Sequence, residues 1–193
     1  MHEVRFHGRG GQGAVTAAEL LSIAAFEAGS RAQAFPSFGS ERTGAPVAAF
    51  CRIDTRPIRL REPVLEPDTV IIFDTTLLHA VDVFAGLKPD GKVLVNSASR
   101  PQELGLDDLT DRCPGVQVIS IPASEIARRH FGRPLPNGVM LGGFAALTGQ
   151  VSIAGVQKAL RDRFPGSVGE ANAAAAAEAF ELVAAATLEA VDA

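Results

Sequence analysis

Tryptophan and tyrosine are absent from this sequence, and phenylalanine, with 11 copies, is the whole aromatic set. Bases and sugars therefore find few stacking platforms, which argues against a nucleic-acid binder. Charge argues the same way. Lys and Arg number 18 against 22 Asp and Glu, leaving a net −4 where a phosphate backbone calls for a basic excess. Cysteine is scarce too: Cys51 and Cys113 stand far apart with no second thiol nearby. An iron–sulfur cluster needs about four thiolates, so this chain alone does not supply one. His2, His7, His79 and His130 show no zinc-ligand spacing, and no metal site is read. The two thiols suit a reducing compartment. No apolar run reaches the ~20 residues of a membrane span. No charged-then-apolar leader precedes the first strand, and the expected location is the cytoplasm.

What is present suits one domain over residues 1–193, with 47% hydrophobic and 21% charged residues. A globular chain of this length buries about 70% of the surface its unfolded form exposes. Strands are predicted at Glu3–His7, Arg31–Phe35, Ala45–Ile53, Thr69–Asp74, Lys92–Asn96 and Val116–Ile121, with a short extended piece at Pro57–Arg61. Helices are predicted at Ala14–Ala28, Thr75–Phe84, Glu125–Phe131, Gly138–Thr148 capped by Asn137, and from Ser152 through Phe164. A single helical turn is expected at Leu106–Asp111. Gly29 stops the first helix. A long alanine-rich helix at Val168–Val191 has few bulky anchors and reads as a terminal helix packed through close backbone contact.

Strands alternating with helices imply an α/β three-layer α/β/α sandwich. Ala45–Ile53 and Pro57–Arg61 are joined too tightly for a crossover helix. Read as a hairpin, they make the sheet mixed, mostly parallel and Rossmann-like without being a true dinucleotide fold.

Gly8, Arg9, Gly10, Gly11, Gln12 and Gly13 fit G-x-G-x-x-G between a strand and a helix. Glycines let the backbone turn tightly and approach a pyrophosphate, while the helix start offers free N–H groups and partial positive charge. Arg9 can add a bidentate phosphate contact. A dinucleotide fingerprint also wants an acidic residue about 20 positions on, at the end of the second strand. That strand ends Phe35-Pro36-Ser37, so nothing is placed to hold a ribose hydroxyl. Two readings stay open: a loop that holds some phosphate or carboxylate, and a turn that only packs helix on strand or on a neighbouring subunit.

The segment Phe35-Pro36-Ser37-Phe38-Gly39-Ser40-Glu41-Arg42-Thr43-Gly44-Ala45-Pro46-Val47 is stiffened by two prolines, bent by two glycines and tipped by Glu41 and Arg42. Arg52, Arg56, Arg59 and Arg61 follow closely, either as a solvated face or as a local anion site or subunit contact.

A start of R-F-H-G-R-G-G-Q-G-A-V-T-A-A-E-L-L followed by Q-A-F-P-S-F-G-S-E-R-T-G-A-P-V resembles the gamma subunit of pyruvate:ferredoxin and 2-ketoisovalerate:ferredoxin oxidoreductases. The likeness continues through Arg52-Ile53, Pro57 to Arg61, Glu66 to Asp68 and Asp74. It resumes at Asn137 to Gly143, Arg163 to Pro165 and Asn172, so it spans almost the whole chain. The resemblance implies a part in oxidative decarboxylation of a 2-oxoacid, with coenzyme A and oxidised ferredoxin, to an acyl-CoA, carbon dioxide and reduced ferredoxin. It also implies alpha, beta and ferredoxin-like delta subunits as partners, with thiamine diphosphate and iron–sulfur clusters on those chains. For this chain it implies subunit assembly and contact with coenzyme A phosphates, with no catalytic residue. The candidate cofactor contacts are Gly8 to Gly13 with Arg9 and Gln12, then Ser37, Glu41, Arg42 and Asn137. The alternative is a stand-alone nucleotide- or CoA-binding domain without catalytic partners.

Overall fold

The computed structural model describes residues 1–37 and 43–191. Six strands form one sheet: β1 (His2–Arg9), β2 (Arg31–Pro36), β3 (Pro46–Asp54), β4 (Thr69–Ile72), β5 (Lys92–Asn96) and β6 (Gln117–Ile121). Six helices accompany them: α1 (Ala14–Glu27), α2 (Asp107–Arg112), α3 (Ala123–Phe131), α4 (Asn137–Thr148), α5 (Ile153–Arg163) and α6 (Ser167–Val191). The strand order is β2-β3-β1-β4-β5-β6. β1, β4, β5 and β6 run parallel, and β3 runs antiparallel to both β1 and β2. The fold is therefore α/β with a mixed, mostly parallel sheet.

The sheet is mixed for a different reason from the one its sequence suggests. Residues 57–61 form no strand, so the hairpin expected there does not exist. β3 itself is the antiparallel member, wedged between β1 and β2 with His2 opposite Ile53 and Gly8 opposite Val47. Thr75–Phe84 is likewise not a helix. A short 3-10 turn at Thr75–His79 replaces it, capped by the Asp74 carboxylate.

Alternation along β1 sorts the two faces. Val4 and Phe6 join a core with Cys51, Ile71, Phe73, Leu94 and the inner sides of α1, α3, α4, α5 and α6. The opposite face is thin. Val70, Ile72, Val93 and Val95 pack there against Leu77, Val83, Leu106 and Val116, from turns and a short helix. Further along that face the cover is polar. Arg5 is 7% exposed and donates to the carbonyls of Val64 (3.3 Å), Val83 (3.1 Å) and Ala85 (2.6 Å), pinning two irregular segments onto β1. A buried guanidinium is tolerable here because three otherwise orphaned carbonyls consume its donors.

α6 docks by close approach, as its alanines suggest. Ala173, Ala176, Ala179 and Val183 are fully buried. A Cβ at Gly142 of α4 would stand 1.9 Å from the Ala176 carbonyl oxygen, so the two backbones touch. Bulky anchors are replaced by the area that small residues open between helices.

Candidate functional site

The glycine loop joins β1 to α1 at the point where the chain order reverses. From β1 the chain turns to β3 and β2 on one side, while β4, β5 and β6 extend on the other. Strand carboxyl ends at such a switch point leave a crevice for ligands. Gly13 caps α1 with φ 84°, a left-handed conformation only glycine takes readily, and no side chain caps the helix. The first-turn N–H groups have no intrahelical acceptor by helix geometry and remain available at a positive helix end.

Side chains fix the loop's shape. The Arg9 N–H donates to Gln12 Oε1 at 2.7 Å, and Gln12 Nε2 donates to Asp74 Oδ2 at 2.7 Å. Asp74 Oδ1 accepts from the Thr76 N–H (3.0 Å) and hydroxyl (2.6 Å). The Arg9 guanidinium donates to Thr76 Oγ1 (2.7 and 3.1 Å) and to the Gly44 carbonyl (3.0 Å), and lies 3.4 Å from Asp74 Oδ2. Two backbone bonds, Gly10 N–H to Ala45 O and Gly44 N–H to Gly10 O, tie in the end of the proline-rich segment. Desolvation pushes the Asp74 pKa up. Hydrogen bonds from Thr76 and Gln12 and the Arg9 charge outweigh it, leaving the carboxyl below its ordinary range. Asp74 is the keystone that sequence reading did not single out. Its signals in the sequence are a carboxylate closing the apolar run Thr69–Phe73 and a place in the family likeness, and neither assigns it this role.

Two clefts flank the loop. One, of about 450 Å³, is lined by Arg9, Gly10, Gly11, Thr16, Thr43 and Val47. The other, of about 600 Å³, runs from Gly11, Gly13 and Thr16 to Asn137, Arg133 and Arg163. The sequence marks Asn137 as the cap of α4. It is instead the first helical residue, with Pro136 at the cap position, and it packs against the loop. A Cβ on Gly13 would stand 3.0 Å from Asn137 Nδ2. A smaller polar crevice, lined by Gln12, Asp74, Asn96, Ser124 and Glu125, opens at the ends of β4 and β5.

The remaining candidates separate. Ser37 donates its N–H to Ala48 O and lines a different hollow with Gln33, Phe35, Phe50 and Arg61. Glu41 and Arg42 lie outside the described residues. Arg52 does not converge with Arg56, Arg59 and Arg61: it is buried, bonded to Glu3 Oε1 at 2.8 Å and stacked over Phe35, while the other three are exposed. Nor can β2 carry a ribose-binding acid, because β3 stands between it and β1. Cys51 and Cys113 sit on opposite faces of the sheet, and burial pushes the Cys51 thiol up to about 12. Burial first, and the Arg5 charge second, hold His7 down to about 4. Among the described residues no three His, Cys, Asp or Glu side chains gather where a metal ion could be held. What the arrangement offers is anion recognition by backbone, guanidinium and amide groups.

Known proteins carry the same pattern. The family described as pyruvate ferredoxin/flavodoxin oxidoreductase matches residues 3–182. Pyruvate synthase subunit PorC of Methanothermobacter marburgensis is 51% identical over 181 residues, 94% of this chain and 97% of that protein. The common gamma subunit of pyruvate/ketoisovalerate oxidoreductases from Pyrococcus furiosus is 50% identical over 181 residues, with 94% and 96% covered. Among solved structures, pyruvate oxidoreductase subunit PORC from Thermotoga maritima superposes with a TM-score of 0.79 at 37% identity, covering 93% of this chain and 95% of that one.

Proposed function

The chain belongs to the pyruvate ferredoxin/flavodoxin oxidoreductase family, and on that premise we propose that it is the gamma subunit of a thiamine diphosphate-dependent 2-oxoacid:ferredoxin oxidoreductase. The observation that carries this reading is identity of about half the residues along nearly the full length of subunits bearing that name. The reaction proposed for the complex converts a 2-oxoacid, coenzyme A and oxidised ferredoxin to an acyl-CoA, carbon dioxide and reduced ferredoxin. Alpha, beta and ferredoxin-like delta subunits are the proposed partners.

The chemistry of such an enzyme belongs to its cofactors, and the protein supplies placement and electrostatics. Two thiols on opposite sheet faces, one held protonated by burial, do not fit an iron–sulfur cluster. The clusters are accordingly assigned to the partner chains, and the family resemblance assigns thiamine diphosphate there too. The glycine loop does fit the phosphates of coenzyme A. Gly11 leaves the backbone open to close approach, α1 presents its N–H groups, and Arg9 with Gln12 keeps the turn in shape. Asn137 backs the loop from α4. Residues 1–193 act as one gamma domain whose part is assembly and the holding of that ligand. Among the described residues no helix is long and apolar enough to cross a membrane, and we place the complex in the cytoplasm.

Co-purification tests the reading. Tagged chain is expected to bring down thiamine diphosphate and brown iron–sulfur subunits. Tagged chain that emerges alone would overturn it in favour of a stand-alone nucleotide- or CoA-binding domain. Within the complex, Arg9→Ala is expected to raise the coenzyme A Michaelis constant or lower complex yield. Leaving both unchanged would remove the loop from the site.

A further inference from the structure

We infer that β2 is a docking edge: an extended segment of a partner subunit adds to it as a further strand and lays a carboxylate and an apolar side chain into the hollow beside it. The inference rests on the gamma-subunit reading and adds the surface through which this chain is assembled.

β2 ends the sheet and pairs with β3 alone. Ser37 donates its N–H to Ala48 O, and the register sets Phe35 opposite Phe50 and Gln33 opposite Arg52. In an antiparallel ladder alternate residues turn their N–H and C=O groups toward the neighbouring strand. Arg31, Gln33, Phe35 and Ser37 therefore face β3. Ala32 and Ala34 turn both groups outward, as Pro36 does its carbonyl, and none of these has a partner among the described residues. Free edges are templates for strand pairing. Pro36 has no N–H and stops the pairing at one end, so the edge suits a short segment.

The side chains beside the edge define that segment's chemistry. Ala32 and Ala34 pack toward α1, which leaves Arg31, Gln33 and Phe35 on the other face of the sheet. A hollow of about 520 Å³ opens there, lined by Gln33, Phe35, Phe50, Pro63 and Arg61 among others. No acid lines it, in a chain whose net charge is −4. Arg61 is exposed and has no carboxylate partner among the described residues. Arg31 has none either, because Asp54 across the ladder is held by the Met1 ammonium (3.3 Å) and the Arg56 N–H (3.0 Å). Phe35 and Phe50, with ring centroids 5.2 Å apart, supply the apolar floor. Arginine at the rim of such a floor fits a carboxylate flanked by an apolar side chain, which alternate residues of an added strand present together.

Two buried atoms show that this face is unfinished in the free chain. Gln33 Oε1 has no donor and Arg52 Nη1 has no acceptor among the described residues. The Arg52 side chain is only 3% exposed, and its guanidinium lies against the Phe35 ring, 5.4 Å from the centroid. Buried polar groups are normally paired. These two stand opposite one another on β2 and β3, under the face that the added segment covers. Half-buried Phe35 is the side chain whose shift admits an acceptor to Arg52.

Hydrogen exchange read by mass spectrometry, with fragmentation to single residues, compares the free full-length chain with the purified multi-subunit complex. The Ala32 and Ala34 amides are expected to exchange about a hundredfold more slowly in the complex. Arg61→Glu should lower retention of the partner subunits in a salt wash about tenfold, and Arg61→Lys should keep most of it. Arg112→Glu, the same charge change on α2, should alter little. Phe35→p-benzoylphenylalanine in the complex should crosslink on irradiation to a partner-subunit peptide that carries Asp or Glu. Arg61 is exposed, and an unchanged melting curve of the free variant will confirm that it folds; the exchange comparison needs no variant at all. Equal exchange of both amides in free chain and complex, wild-type retention by Arg61→Glu, or a crosslink to a second copy of this chain or to a peptide without an acid would overturn the docking edge. Any of these in an intact complex leaves the gamma-subunit reading standing. A chain that purifies alone removes that reading and the docking edge with it.

Discussion

Replacing Asp74 with Asn tests whether the glycine loop is held by one carboxylate. The substitution conserves size, keeps one acceptor oxygen and turns the other into a donor. That new NH2 must face either Gln12 Nε2 or the Thr76 N–H and hydroxyl, all of which now donate to Asp74. Gln12 cannot answer by flipping, because its Oε1 is held by the Arg9 N–H at 2.7 Å. The 3.4 Å pairing with Arg9 is lost as well. A charge-assisted hydrogen bond contributes about 1.5–3 kcal/mol net, and part of the lost contact is recovered by water because the site opens onto a crevice. We expect a loss of about 1–2 kcal/mol, which for a chain of this size lowers Tm by roughly 2–8 °C. Hydrogen exchange reads the same event locally. The Arg9 and Gly10 amides, bonded to Gln12 Oε1 and Ala45 O, should exchange about tenfold faster, while strand amides of β5 keep pace with global stability. The pH dependence gives a sign. The Asp74 pKa is depressed in the fold, so its contribution is complete above the ordinary value of about 3.9 and is lost as pH falls through the lower folded value. Wild type and D74N should therefore differ most at neutral pH and converge in strong acid. Equal Tm and equal loop exchange at pH 7 would refute the keystone role.

Three further outcomes follow from the packing and titration of the fold. Gly142→Ala places a Cβ 1.9 Å from the Ala176 carbonyl oxygen. The ~1 kcal/mol gain in helix propensity should be overwhelmed by overpacking, for a net loss of about 2 kcal/mol and roughly 4–8 °C in Tm. Gly143→Ala, which meets side-chain methyls at 3.1 Å, should cost less, and an equal loss in both would contradict backbone contact as the cause. His7, held at about 4 by burial and the Arg5 charge, should titrate near that value by ring NMR. The unfolded chain takes up this proton near pH ~6.5, so the His7 contribution should lower stability as pH falls from there to about 4 and then level off; a midpoint near 6.5 would disprove its burial. A disulfide reagent at pH 8 should modify native chain only at Cys113, with Cys51 reacting after denaturation, since burial raises that thiol to about 12. A Cys113→Ser variant that still reacts while folded would show otherwise.

What could be read from the sequence is what local physics determines. The β1–loop–α1 unit announces itself because glycine is required where the chain must turn left-handed, as at Gly13. β5 is found at Lys92–Asn96 as read, because a buried parallel strand is a short apolar run between turn residues. α5 starts after Ser152, whose hydroxyl accepts the Gly155 N–H, a cap visible in the residues alone. Misreadings cluster where a long-range partner decides. Pro57-Ile58-Arg59-Leu60-Arg61 alternates like a strand, yet no neighbour offers it a ladder. Thr75–Phe84 has helical spacing, but Asp74 bonds the Thr76 N–H and closes a tighter turn.

The same division runs through the candidate site. Its glycines are contiguous, so sequence shows them. In the sequence Arg9 can add a bidentate phosphate contact, but Asp74 and Thr76, from the turn after β4 and more than sixty residues later, take its guanidinium. Arg133 precedes α4 and Arg163, 30 positions on, ends α5, and nothing local distinguishes them from solvated arginines. The mutual packing of α1, α4, α5 and α6 brings both to the cleft beside Asn137 and the start of α1. A charge becomes a binding group when the fold removes its competitors, and that removal is a property of three-dimensional neighbours. It follows that Arg9 should behave as a structural residue of the loop. Losing Arg9 should disturb the loop's exchange and melting with no ligand present, because Thr76 and the Gly44 carbonyl lose their donor.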